Sequence, residues 1–326
     1  MKLLKLAGGV AVSVGLLAFL LWSVDLHELG VQLGRTHLGW VTLGAALGPV
    51  GLWIRARRWR YLFPPGPEPP GLVPATMIGY MANNVLPLRA GEVVRVYVVA
   101  RGWSRGFWAT LATLIVERVL DSLAIVLVLG VLVVLIPVPT IFRLGAATLL
   151  VIDVVAVAVL GWLAVAPHSA LRLVRQSLRR WPGRAERLAR VLERFVSGLD
   201  GIRAPAHRWP LVGWTVLVWI VPAVAAWVIF RAMALDLPFI AAWTVLAFVG
   251  VGISVPSAPG YVGVYHYATV LALAMFDVAR PAAFGYALVL HASQTLSVSL
   301  VGWLYLLREQ LSLTEARRPP TATPEA

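Results

Sequence analysis

The sequence predicts an all-α polytopic membrane protein with about six full transmembrane helices and two re-entrant helical hairpins in an inverted-topology repeat. Three observations carry this. First, 60% of the 326 residues are apolar and 13% charged, and the mean hydropathy is +0.82. A soluble globule of this length cannot hide that much apolar side chain. Second, arginine clusters alternate with apolar runs and so set the sense of each crossing. Third, two apolar segments are interrupted at half length, by NNVLP at 83–87 and by PSAPGYVG at 256–263. The formal net charge of +13 would suggest nucleic acid in a soluble chain. Here the arginines flank hydrophobic spans, where topology and anionic headgroups account for them, and no nucleic-acid partner is expected. Cysteine is absent, which removes disulfides and thiolate chemistry, and the histidines and carboxylates lack ligand spacing. No metal and no cofactor are expected.

Taken in order, residues 3–22 follow Lys2 and Lys5 and lack a clean small-residue cleavage site, so they read as a retained first helix with a cytoplasmic N-terminus. Residues 23–37 lie outside, and 38–54 return. That helix ends in RARRWR (55–60), whose four arginines read as topology determinants with headgroup recruitment as a secondary role. PPGPEPPG (64–71) stops the helix. Residues 72–86 fall short of the ~20 residues a span needs. A re-entrant hairpin over 72–105, with its tip near 85–91, returns Arg101 and Arg105 to the cytoplasmic face. Residues 107–136 run outward, carrying Glu117, Arg118 and Asp121, and 144–165 return with Asp153.

Residues 167–208 hold ten arginines against Glu186, Glu193 and Asp200, with apolar residues at near-helical spacing. They predict a cytoplasmic amphipathic helical pair resting on anionic lipid. Residues 211–230 run outward, 239–276 form a second hairpin of opposite sense, and 282–307 return to a cytoplasmic C-terminus. The halves are thus 1–136 and 144–307, followed by a disordered tail at 308–326.

Ionisable residues at membrane depth are costly and are read first as functional. Arg89, Glu92 and Arg95 lie at i, i+3 and i+6 on a half-helix that begins after Pro87. Free N–H groups at that terminus together with guanidinium suit a phosphate. Glu117 and Asp121 share a helix face, and with Glu92 they balance the arginines when the site is empty. Two readings stand together: direct contact with an anionic substrate, or a structural ion-pair network joining hairpin to helix. The two tips, the second containing Pro259 and Gly260, are expected to meet near the midplane around a polar cavity. His266 and His291 are open to a proton-coupled step or to hydrogen-bonded packing, and Ser293 and Gln294 either line the cavity or join helices.

These readings favour a transporter with a site for an anionic, phosphate-bearing substrate. One alternative is an intramembrane enzyme acting on lipid phosphate, with Glu117 or Asp121 as base and His266 as acid, although no nucleophile and base stand at local spacing. The other is a non-transporting partner of a lipid or glycan synthase.

The runs GYMANNVLPLRAGEVVRVYVVAR (79–101), ERVLDSL (117–123) and PSAPGYVGVYH (256–266) resemble the flippase-like membrane domain of bacterial lysylphosphatidylglycerol synthases and the stand-alone proteins that share it. The resemblance spans nearly the whole chain. Its most specific positions are Asn84, Pro87, Arg89, Gly91, Glu92 and Arg95, then Glu117, Arg118 and Asp121. It implies translocation of an anionic phospholipid or a polyprenyl-phosphate-linked lipid across the bilayer: family members with an assigned role move aminoacylated phosphatidylglycerol, and relatives fused to glycosyltransferase domains imply polyprenyl-linked substrates. Two departures stand out. Only a short polar stretch follows Leu307, so synthesis of lysyl-lipid is not expected, and His266 stands where the third motif often has an acid. The expected partners are an anionic headgroup and membrane lipids, with a second copy of the chain and a synthase or glycosyltransferase as candidate protein partners. The expected location is a bacterial or archaeal cell membrane.

Overall fold

The computed structural model describes residues 2–22, 24–86, 89–254 and 257–309, with side chains from residue 11 onward. Pro87, the side chains of Lys2 and Lys5, and residues 310–326 of the expected tail lie outside the described residues. Every regular element among the described residues is helical. Helix α1 (Lys2–Trp22) is followed by α2 (Leu26–Gly34). Asp25 starts α2 by accepting the N–H groups of His27 and Glu28 at 2.8 and 3.1 Å.

Helix α3 (Leu38–Arg60) runs six residues past the expected end at 54. No proline follows Pro49 until Pro64, so nothing in the arginine cluster breaks the hydrogen-bond ladder. Its apolar half packs along α11 (Arg208–Ala232). Gly44 makes this approach possible, because a Cβ there would sit 2.7 Å from Ile229 Cδ1.

Helices α4 (Leu72–Val85) and α5 (Ala90–Gly102) pack against each other. Helix α6 (Gly106–Leu135) then pairs with α7 (Thr140–Val165) across a turn at 136–139. Two short helices, α8 (Pro167–Ser177) and α9 (Pro182–Ser197), and one turn, α10 (Asp200–Arg203), lead into α11. Helices α12 (Phe239–Gly252) and α13 (Val264–Ala274) form the second short pair, and α14 (Arg280–Arg308) ends the described chain.

Among the described residues four helical stretches are long and apolar enough to cross a membrane: α6, α7, α11 with the turn before it, and α14. The pair α1–α2, bent by 91°, makes a fifth if taken as one span. The expected six counted α3 as well, whose last turns carry Arg55, Arg57, Arg58 and Arg60. Helices α4, α5, α12 and α13 have 14, 13, 14 and 11 residues, each short of the ~20 that a crossing takes.

The largest core lies among α11, α12, α13 and α14. Phe142 stacks on Phe248 at 3.6 Å and Phe230 on Tyr286 at 4.5 Å, and the Tyr286 hydroxyl donates to the Ala226 carbonyl at 2.8 Å. A second core joins α3, α6 and α9 through Trp59, Leu62, Phe63, Ala112 and Val196.

All ten arginines of 167–208 are exposed. The opposite face docks tightly, because a Cβ on Gly198 would lie 2.2 Å from the Ala109 carbonyl oxygen and one on Gly201 the same distance from that of Leu62. Arg105 also reaches Asp200 at 2.8 Å and the Ser197 carbonyl at 2.7 Å. That pair is solvent-exposed, so Arg105→Ala should cost under about 1 kcal/mol. Gly198→Ala, which drives a methyl into backbone, should undock the segment. Limited trypsin cleavage at Arg190 and Arg194 will then accelerate in the glycine variant and stay near wild type in the arginine variant.

Candidate functional site

Three helices bring their charges to one place. The last turns of α3 put Arg55 and Arg58 on one face at i, i+3, α6 supplies Glu117 and Asp121 at i, i+4 with Arg118 beside them, and α5 supplies Glu92 and Arg95. Arg95 and Glu117, both almost fully buried, form a fork: Nη1 donates to Oε1 at 2.7 Å and Nη2 to Oε2 at 2.8 Å. Bidentate geometry of this kind needs the planar guanidinium. The Arg95 guanidinium lies 3.8 Å from the centre of the Trp59 ring, and Trp59 Nε1 donates to Thr113 Oγ1 at 2.9 Å. Stacking and hydrogen bond together fix the plane in which Arg95 meets its carboxylate.

Asp121 is held by Arg55, which donates to it, and by Arg58 at 2.7 Å. The Arg58 contact is close but not aligned as a hydrogen bond, so all three Arg58 nitrogens lack an acceptor among the described residues. Arg118 donates to Glu117 and lies 3.4 Å from Asp121 and 3.7 Å from Glu92. Its side chain is one-third exposed, and its guanidinium also reaches the Tyr80 hydroxyl at 3.4 Å. The cluster therefore has a sealed side, Arg58, Arg95 and Glu117, and an accessible edge, Arg55, Tyr80, Glu92 and Arg118.

Of the residues singled out from the sequence, Glu92, Arg95, Glu117, Arg118 and Asp121 converge here. Arg89 does not touch this cluster. It sits at the start of α5 with φ 54°, donates to the Ile253 carbonyl and lies over the Tyr261 ring at 5.7 Å. The first tip therefore meets the second by direct contact, and a Cβ on Gly260 would lie 3.4 Å from the Asn84 carbonyl. Pro259 opens the short turn that carries Gly260. The Asn84 side chain points elsewhere, donating to Ser299 Oγ at 3.0 Å and so tying α4 to α14. His266 and His291 contact each other at 3.3 Å. Gln294 joins α14 to α3 by donating to the Gly44 carbonyl at 2.8 Å, and Ser293 bonds within its own helix. Among the described residues no group of three or more histidines and carboxylates is placed to hold a metal.

Sequence reasoning missed Arg55, Arg58, Trp59 and Tyr80. Arg55 and Arg58 read as charge beyond a span, yet Arg58 is fully buried. Their i, i+3 spacing beside Trp59, in a helix with no stop before Pro64, was the available signal.

Fold and cluster together define a class: a polytopic helical membrane protein whose buried arginine–carboxylate centre sits beside the first of two half-length helix pairs that touch at their tips. Residues 6–302 match the family described as the lysylphosphatidylglycerol synthase TM region, and the chain belongs to it. It is also similar to a protein named Glycosyltransferase AglD from Haloferax volcanii, 30% identical over 298 residues that cover 81% of this chain and 47% of the relative. The chain thus spans about half the length of that relative. No solved structure matches it.

Proposed function

We propose that the protein is a lipid translocator that holds an anionic headgroup at the accessible edge of the arginine cluster while the tail stays in lipid. Its short helix pairs act as opposed re-entrant hairpins and both termini lie on the cytoplasmic side. The observation that carries this reading is an excess of buried positive charge. Arg55, Arg58, Arg95 and Arg118 face only Glu92, Glu117 and Asp121, and the Arg58 nitrogens with Nε of Arg95 and Arg118 lack acceptors among the described residues. Unbalanced buried charge is costly, and a phosphate bound at this edge, where Arg55 and Arg118 can be reached, offsets it. Glu92, only loosely paired with Arg118, is the internal group that such a ligand displaces.

The relative's name and its additional length favour a link to lipid or glycan synthesis, with a synthase or glycosyltransferase supplying or consuming the lipid. In proteoliposomes carrying fluorescent phosphatidylglycerol or a polyprenyl phosphate, Arg118→Gln should slow headgroup movement by about tenfold or more, the equivalent of one charged hydrogen bond. The fold should survive, because Arg95 still pairs with Glu117. Wild-type rates in this variant would remove the cluster edge from the path. A changed lipid mass after incubation would point instead to an enzyme acting on lipid phosphate.

A further inference from the structure

The break between α12 and α13 turns on Gly260 and Gly263, with φ of 67° and 85°, and on Tyr261 between them at 60°. Two histidines from different helices close this turn. His266, the third residue of α13, accepts the Gly263 N–H on Nδ1 at 3.2 Å, where helix starts commonly use Glu or Gln. A neutral imidazole that accepts on Nδ1 carries its proton on Nε2. That Nε2 lies 3.3 Å from Nδ1 of His291, which must therefore accept, leaving the His291 proton on its own Nε2. The result is a one-way chain, from the Gly263 N–H through His266 to His291, that ties the end of the turn and the start of α13 to α14.

We propose that the His266–His291 pair is a proton-binding site, and that taking up a proton releases the turn. The chain needs each ring neutral, with one donor and one acceptor nitrogen. A proton on His266 removes the acceptor for Gly263, and a proton on His291 sets two N–H groups against each other. Either way a bond of the chain breaks.

The surroundings offer no local compensation. Tyr265 stacks on His291 at 4.5 Å and Phe284 lies 6.0 Å from His266. Tyr286 lies beyond Tyr265. Helix α12 has no ionisable residue, and α1 presents Ser13, which accepts the Ala258 N–H at 2.9 Å. The cation on the facing hairpin is Arg89, over Tyr261. No carboxylate lies within ion-pair distance of either ring among the described residues, so the added charge must be met by water or an anion once the turn opens. Because Gly260 abuts the Asn84 carbonyl and Arg89 holds Ile253, loosening the turn parts the two tips.

The test uses the full chain in nanodiscs, with 15N-histidine spectra and a spin label on Ser257→Cys, the sequence having no other cysteine. At about pH 8 both rings should be neutral with the proton on Nε2. Between about pH 8 and about pH 4 the pair should take up one shared proton while the label becomes mobile. In His266→Gln/His291→Gln, which keeps donors and acceptors but cannot titrate there, the label should stay immobile throughout. Independent titration of the two rings, or the same loss of immobility in the double variant, would overturn the proposal. If the double variant does not fold, the wild-type spectra alone decide, through shared or independent protonation.

Discussion

Glu117→Ala is expected to cost about 3–5 kcal/mol of stability, a large share of what a folded protein has. Glu117 is fully buried and both of its oxygens accept from Arg95, itself 2% exposed. Without it, both Arg95 Nη atoms join Nε in lacking a carboxylate, and Arg118 and Arg58 lose a shared anion as well. Denaturant unfolding in detergent measures the effect. A loss under about 1 kcal/mol would mean that the guanidiniums find other anions and that the fork contributes little. Arg95→Met with Glu117→Leu should recover part of the loss, since an apolar pair leaves neither of the two charges stranded. It should not recover all of it, because Arg55, Arg58 and Arg118 would then face only Asp121 and Glu92.

The second large effect is expected at Gly91, where α5 crosses α4. A Cβ there would lie 2.0 Å from the Gly79 carbonyl oxygen and 2.6 Å from Asn83 Oδ1. The Gly79 oxygen is backbone in the middle of α4, so no rotamer can clear it and the helices must separate. Gly91→Ala should therefore cost about 3 kcal/mol or more, and it should also withdraw Arg95 from Glu117 and Trp59. Gly79→Ala should be milder, its closest contact being Arg95 Cβ at 2.8 Å. Gly130→Ala, with nothing within 4 Å, should be neutral or slightly stabilising, because alanine is the better helix former. Thermal unfolding of the three variants should follow that order, and Gly91→Ala matching Gly130→Ala would refute the crossing.

Much of the architecture was available from composition and pattern. The apolar excess implied a helical membrane protein, and Pro, Gly and Asn marked the interruptions at 83–87 and 256–263; the first begins within the last turn of α4, which runs to Val85, and the second lies between α12 and α13. Arg95, Glu117 and Asp121 could be named as special because a charge within an apolar run is conspicuous whatever it touches. The length of α3 was underestimated because arginine was read as the end of a span, whereas arginine is a good helix former and only the prolines beyond it stop the ladder.

The sequence by itself thus determined the fold class, the places where helices break and the charges that had to be buried. Tertiary structure alone decided the partners. It drew Arg55 and Arg58 into the cluster, moved Arg89 out of it to the tip junction, and closed one turn with two histidines 25 residues apart. The physical reason is one of range. Periodicity states which face of its own helix a residue occupies, whereas an ion pair or a hydrogen bond acts over about 3–4 Å between helices, and which helices come that close is set by the packing of the whole chain.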